Sequence, residues 1–116
     1  MPPRLRVDLD VTPERVTTRS LDSLTVQVSV TNEDTETIDL QLPSSTLLVD
    51  GVPSRSWNIA IGNGAREARE SALPPGDSIQ VARVMGDGLV REPGDHEAVL
   101  EVRGVPSPPA HVVIEP

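Results

Sequence analysis

Apolar and polar residues alternate along much of the chain. Leu5, Val7, Leu9 and Val11 are interleaved with Arg4, Arg6, Asp8 and Asp10, a period of two that predicts a strand with one wet face. Thr12-Pro13-Glu14 closes it. Leu24, Val26, Val28 and Val30 then alternate with Thr25, Gln27, Ser29 and Thr31 and predict a second strand. The polar cluster Asn32-Glu33-Asp34-Thr35 is turn chemistry. Behind it Ile38, Leu40 and Leu42 alternate with Thr37, Asp39 and Gln41, so residues 24–42 read as a hairpin. Thr46 to Val49 is a short strand ending at Asp50-Gly51, a tight-turn dipeptide. Trp57, Ile59 and Ile61 share one face and Asn58 and Ala60 the other, which predicts a further strand over 55–61 with Trp57 buried between sheets.

The alternation lapses over residues 62–73. Ala65, Ala68, Ala72 and Leu73 make one weak helical face there, with Arg66 and Glu70 an i,i+4 pair, so a loop with a short helical turn is expected. Leu73-Pro74-Pro75-Gly76-Asp77 is a turn leading into a strand over Ser78–Met85. Within that strand Ile79 and Val81 share a face that Arg83 leaves and Val84 does not continue, and a bulge near Ala82 would account for the break. Gly86-Asp87-Gly88 and Pro93-Gly94-Asp95 bracket a loop. Ala98, Leu100 and Val102 then point inward, and Ser107-Pro108-Pro109 leads into a last strand with Ala110, Val112 and Ile114. Seven to nine short strands with turns every eight to twelve residues form the pattern of an all-β, immunoglobulin-like antiparallel β-sandwich.

Composition supports that pattern. The core supply is aliphatic, with 16 Val, 11 Leu and 5 Ile against one Trp and neither Phe nor Tyr. Valine in such excess suits a pleated surface better than a helix. A chain of 116 residues reads as a single domain spanning 1–116, and folding at that size buries about two thirds of the extended surface. The net charge is −8, and every base is Arg. A chain this acidic lacks the footprint that nucleic acid requires, and anionic membranes repel it. The absence of Cys removes disulfides and thiolate sites. Apolar runs of two or three residues, with no signal-peptide stretch ahead of the first strand, make the cytoplasm the expected compartment.

Four pieces between Leu24 and Val102 resemble the bacterial intracellular proteinase inhibitor family, small immunoglobulin-like domains. They are the strand Val26–Asn32 ending in Asn, the Asp50-Gly51 turn followed by Trp57, the Leu73–Asp77 turn, and Pro-Gly-x-His at Pro93–His96. Such domains usually carry Pro-Gly-x-Tyr at the last of these. The resemblance implies a sandwich fold and inhibition of a protease.

His96 falls in the inward register with Ala98 and Leu100, where sandwich domains often place a corner tyrosine that bonds to backbone. That structural role is expected of it, because a catalytic role needs a nucleophile or carboxylate that its neighbourhood in sequence does not supply. His111 points outward. Asp8 and Asp10, about 7 Å apart by strand rise, have a spacing seen between glycosidase carboxylates, but they lie on a wet face flanked by Arg4 and Arg6. Asn32, Glu33, Asp34 and Glu36 offer oxygen ligands without the calcium-loop spacing, and Asp87 is a lone acid, so polar turns are expected. Gly62-Asn63-Gly64 lacks the lysine of a phosphate loop and reads as a turn.

The Gly62–Ser71 loop is the most plausible interaction element, with Asn63, Arg66, Glu67 and Arg69 as its protein-binding residues. A trypsin-like protease would accept Arg66 or Arg69 as a primary side chain. The expectation is a non-catalytic protein-interaction or structural module, with no catalytic residues, metal or cofactor, binding through end loops or an edge strand. The partner is a protein, for example a protease or a second copy, and Val113 on the outward register of the last strand hints at edge or face contact with it. The alternative is a proteinase inhibitor acting through the Gly62–Ser71 loop, as the resemblance implies.

Overall fold

The computed structural model describes residues 2–63 and 68–116. Its strands are β1 (Leu5–Thr12), β2 (Arg15–Thr17), β3 (Thr25–Asn32), β4 (Thr46–Val49) and β5 (Val52–Pro53). Helix α1 (Arg55–Gly62) follows, and then β6 (Ser78–Val84), β7 (Gly94–Val102), β8 (Val105–Pro106) and β9 (Ala110–Glu115). One sheet has the order β1-β3-β6, and the other β2-β9-β7-β4-β5 with β8 also on β7. All pairings are antiparallel except β2 with β9. The inward registers of both sheets make one aliphatic core, from Val7, Val11, Val26 and Val30 on one side to Leu47, Leu100, Val112 and Ile114 on the other. After Thr12 the chain crosses between sheets, so that the N-terminal stretch contributes a strand to each.

The turn chemistry acts as the dipeptides predict. Asp50 and Gly51 take φ of 52° and 80°, both left-handed, and join β4 to β5 through the pairs Val49↔Val52 and Leu48↔Pro53. Positive φ at both central residues matches the right-handed twist of the flanking strands. At the Leu73–Asp77 turn Gly76 has φ of 82° and donates to Asn32 O. A short 3-10 turn at Ala68–Glu70 is the helical turn expected between 62 and 73.

Three expectations are corrected. Residues 24–42 are not a hairpin, because β1 and β6 already occupy both edges of β3. The returning chain is drawn aside instead. Asn32 Nδ2 donates to Glu36 O and to Leu73 O at 2.8 Å each, and Ile38 forms an isolated bridge with Leu73. The segment 55–61 is helical rather than extended. Ser54 caps it, its Oγ accepting from Trp57 N–H at 3.3 Å. Trp57 and Ile61 are four apart, a spacing that fits a helix face as well as a strand face. Ile59 decides between them, for a strand would bury it and it is 64% exposed. Finally, β6 has no bulge. Its ladder with β3 runs unbroken from Thr25↔Val84 to Thr31↔Ser78. Ile79, Val81 and Arg83 all take the inward side, and Arg83 does so by extending its guanidinium to backbone carbonyls.

Trp57 is fully buried, as expected, although it arrives from a helix. Its Nε1–H donates to Ser45 Oγ at 2.9 Å, while the Ser45 hydroxyl donates to Leu42 O. Asn58 on the same helix donates to Ser45 O, which fixes α1 against the chain entering β4.

Candidate functional site

The titratable groups that sequence singles out prove to be structural ties. His96, at the start of β7, stands between Asp50 and Glu92. Its Nδ1 lies 2.6 Å from Asp50 Oδ2 and its Nε2 lies 2.7 Å from Glu92 O. The second contact is the bond to nearby backbone expected of this position. Asp50 is the carboxylate that local sequence does not supply; its signal was that of a turn residue, and β-pairing brings it to His96. A carboxylate and a carbonyl both only accept, so the two contacts favour the doubly protonated ring. Burial alone would push His96 down, but the Asp50 bond, the Glu92 carbonyl and the nearby negative charge together raise it above its ordinary 6.5. The His96 bond, with a second one from Glu97 N–H, lowers Asp50 below 3.8 despite some burial. Both ring nitrogens are thus engaged by groups of the fold.

The oxygen-rich turn is likewise committed to the fold. Asn32 is completely buried, and its Oδ1 accepts from Asp34 N–H at 2.8 Å. The Asp34 carboxylate accepts from Arg4 N–H and Thr35 N–H, which holds it below its usual range. Among the described residues no group of three or more His, Cys, Asp or Glu side chains could hold a metal ion. Asp8 and Asp10 lie on the outer face of β1, where Asp8 pairs with Arg6 at 3.2 Å. Asp87 lies 3.8 Å from Arg91, and His111 points to solvent. No described helix is long and apolar enough to cross a membrane.

Of the four predicted interaction residues, Arg66 and Glu67 lie outside the described residues. Asn63 is exposed at the C-terminal end of α1, where its N–H donates to Ile59 O. The end of a helix offers carbonyl oxygens, which repel phosphate. Arg69 turns toward β6, donating to Ser78 O at 3.3 Å and lying 4.0 Å from Asp77. Val113 is not at an edge, since β9 is flanked by β2 and β7.

A second candidate is the arrangement around β6. Antiparallel pairing turns alternate residues' backbone groups toward and away from a given neighbour. Met85 N–H donates to Leu24 O at 2.8 Å and Asn32 N–H to Asp77 O at 2.9 Å, which sets the phase of the β3–β6 ladder. Ile79, Val81 and Arg83 therefore turn their N–H and C=O groups to β3, and Ser78, Gln80, Ala82 and Val84 turn theirs away. No described strand pairs with that second side. Arginines occupy two of its carbonyls, Arg69 at Ser78 O and Arg83 at Ala82 O (2.9 Å). Arg83 Nε–H also reaches Ala60 O of α1 at 3.2 Å, so the end of the helix lies beside the strand.

Residues 55–63 and 78–86 contain no acid and carry Arg55 and Arg83, although stretches 23–32, 40–49 and 102–114 also lack acids and Asp77 and Asp87 flank the second segment. Of the exposed large apolar side chains Val52, Ile59 and Val84, the last two belong to α1 and β6. The sequence reading of residues 55–61 and 78–85 as separate strands did not bring the two segments together.

No protein-family model and no curated protein matches the chain. Solved structures do match. The chain is similar to the CARDB domain of a Pyrococcus furiosus protein, solved in complex with di-metal ions, with a TM-score of 0.58 at 13% identity, covering 98% of this chain and 94% of that one. It is similar to part of the alkylpurine DNA glycosylase AlkC of Pseudomonas fluorescens, bound to DNA containing an abasic site analog, with a TM-score of 0.59 at 17% identity over 100% of this chain. It also resembles part of a β-glucosidase from Listeria innocua in complex with glucose, with a TM-score of 0.53 at 16% identity over 98% of this chain. The match spans 32% of the glycosylase chain and 16% of the glucosidase chain. Likeness at this identity establishes the fold, which is an immunoglobulin-like β-sandwich.

Proposed function

We propose that the chain is a non-catalytic protein-interaction module whose binding surface is the strip formed by α1 and the outer side of β6. The observation that carries this reading is the coincidence, on two adjacent elements of a −8 chain, of no acid, two exposed apolar side chains and a sheet edge without a described strand. Exposed apolar groups beside arginines and away from carboxylates suit a partner better than the acidic remainder of the surface. The contacts of His96 support the same reading, since both of its ring nitrogens face groups of the fold.

Site-directed photocrosslinking tests it. A photoreactive residue at Ile59 or Val84, in the intact chain within a native lysate, is expected to give a discrete protein adduct. The same group at Thr12 or Asp95 gives none. Adducts arising only from the control positions would overturn the assignment.

A further inference from the structure

We infer that the occupant of this strip is an extended, carboxylate-bearing segment of another protein, added as a new strand along β6. This rests on the α1–β6 reading and specifies its mode. Ser78, Gln80, Ala82 and Val84 direct backbone groups away from β3, and their own side chains are uncharged. Such a row is a template for main-chain hydrogen bonding, the mode in which peptides add to sheet edges. A helix, whose backbone groups are bonded internally, could not satisfy it.

The arginines select the partner's charge. A strand that docks must take Ser78 O and Ala82 O for its own N–H groups, and these carbonyls now accept from Arg69 and Arg83. The displaced guanidiniums remain within reach of the incoming strand, and carboxylates on it would replace the lost acceptors with stronger, charge-assisted bonds. Neither α1 nor β6 contains an acid, and Asp77, just before β6, lies at a loose 4.0 Å from Arg69, a distance at which a closer carboxylate on the incoming strand competes with it.

A second copy of the chain fits less well. Antiparallel self-pairing about Val81 sets Ser78 opposite the other copy's Val84, which brings Arg69 beside an opposing Arg83. Like charges in that position disfavour the pairing, and the −8 charge of each copy adds to the repulsion.

Amide NMR on the isotopically labelled chain tests the inference with three extended synthetic peptides of one apolar pattern. The first carries Glu at its polar positions, the second Lys, and the third Glu with alternate amides N-methylated. The Glu peptide is expected to shift the Gln80, Ala82 and Val84 amides and slow their hydrogen exchange. The Lys and N-methylated peptides bind at least about tenfold more weakly, and Arg69→Ala and Arg83→Ala each weaken the Glu peptide by about tenfold. No binding of the Glu peptide, equal binding of its N-methylated form, or shifts confined to other strands would overturn strand addition. Concentration-dependent protection of the same amides without peptide would overturn it in favour of self-pairing. Crosslinks from Ile59 and Val84 that persist despite such a result leave the module reading standing, and their loss alone sinks that reading.

Discussion

His96 and Asp50, 46 positions apart in the chain, meet at 2.6 Å and tie the β4–β5 turn to the start of β7. Glu92 O holds the other ring nitrogen, so the protonated ring can donate to both acceptors. Its folded pKa lies above the unfolded 6.5, so the stability it contributes is fully present below that value. It is lost as the pH rises through the raised folded value. Asp50 behaves in the opposite sense. Its folded pKa lies below 3.8, so its contribution is present above 3.8 and fades as the pH falls through the lowered value. Calorimetric Tm measured from about pH 5 to about pH 9 should therefore fall on the alkaline side, where this histidine titrates. His96→Gln should flatten that slope; an unchanged slope would mean that the pair does not govern it. Asp50 is half exposed, so Asp50→Asn should cost about 1 kcal/mol or less.

The helix at 55–62 makes a sharp demand on two isoleucines. Ile61 is buried and Ile59 is 64% exposed. Ile61→Ala should cost about 2–5 kcal/mol, as large-to-small core changes do, and Ile59→Ala less than about 0.5 kcal/mol. Chemical denaturation of the two variants reads this directly. Equal losses would mean that the segment is a strand burying both.

Ser45 stands beneath the buried indole and bonds in two directions. Ser45→Ala would leave the Trp57 N–H without its acceptor and should cost about 1–3 kcal/mol. In the parent chain Trp57 emission should be blue-shifted and resistant to acrylamide. Red-shifted, freely quenched emission would contradict its complete burial.

Asn32 supplies two donors and one acceptor from within the core. Asn32→Asp sets a carboxylate against two carbonyls and should destabilise by about 3 kcal/mol or more. Asn32→Ala, which removes the bonds without adding charge, should do less harm. Adding a chelator should leave Tm unchanged, because the Asn32 oxygen already accepts the Asp34 N–H. A drop in Tm on chelation would show that the acidic turn holds a cation.

Much of the sandwich was legible because burial on one face forces alternation, as in Leu5–Val11, Leu24–Val30 and Ala98–Val102. The Asp50-Gly51 and Leu73–Asp77 turns were legible because few residues tolerate their backbone angles. Alternation failed at Trp57-Ile59-Ile61, where a four-residue separation satisfies both periods, and the cap at Ser54 was the unused signal. It failed again at Arg83, a charged residue in an inward register whose length lets it reach carbonyls at the sheet margin. The hairpin reading of 24–42 failed because alternation identifies strands but does not say whose edge they join. The candidate strip was hidden for a related reason. Its parts are some twenty residues apart in sequence, and their adjacency depends on how α1 packs beside β6.

The crossing after Thr12 gives the protein a mechanical character. Because β2 runs parallel to β9, with Arg15 beside Val113 and Thr17 beside Glu115, the two terminal segments are clasped side by side. Val113 N–H bonds Glu14 O, Thr18 N–H bonds Glu115 O, and Arg15 pairs with Glu115 at 2.7 Å. Tension drawing residues 15 and 115 apart would slide these strands past one another instead of peeling them open, straining every rung of the clasp together. Resistance to stretching would then be set by the rate at which this short pair ruptures rather than by the depth of the core.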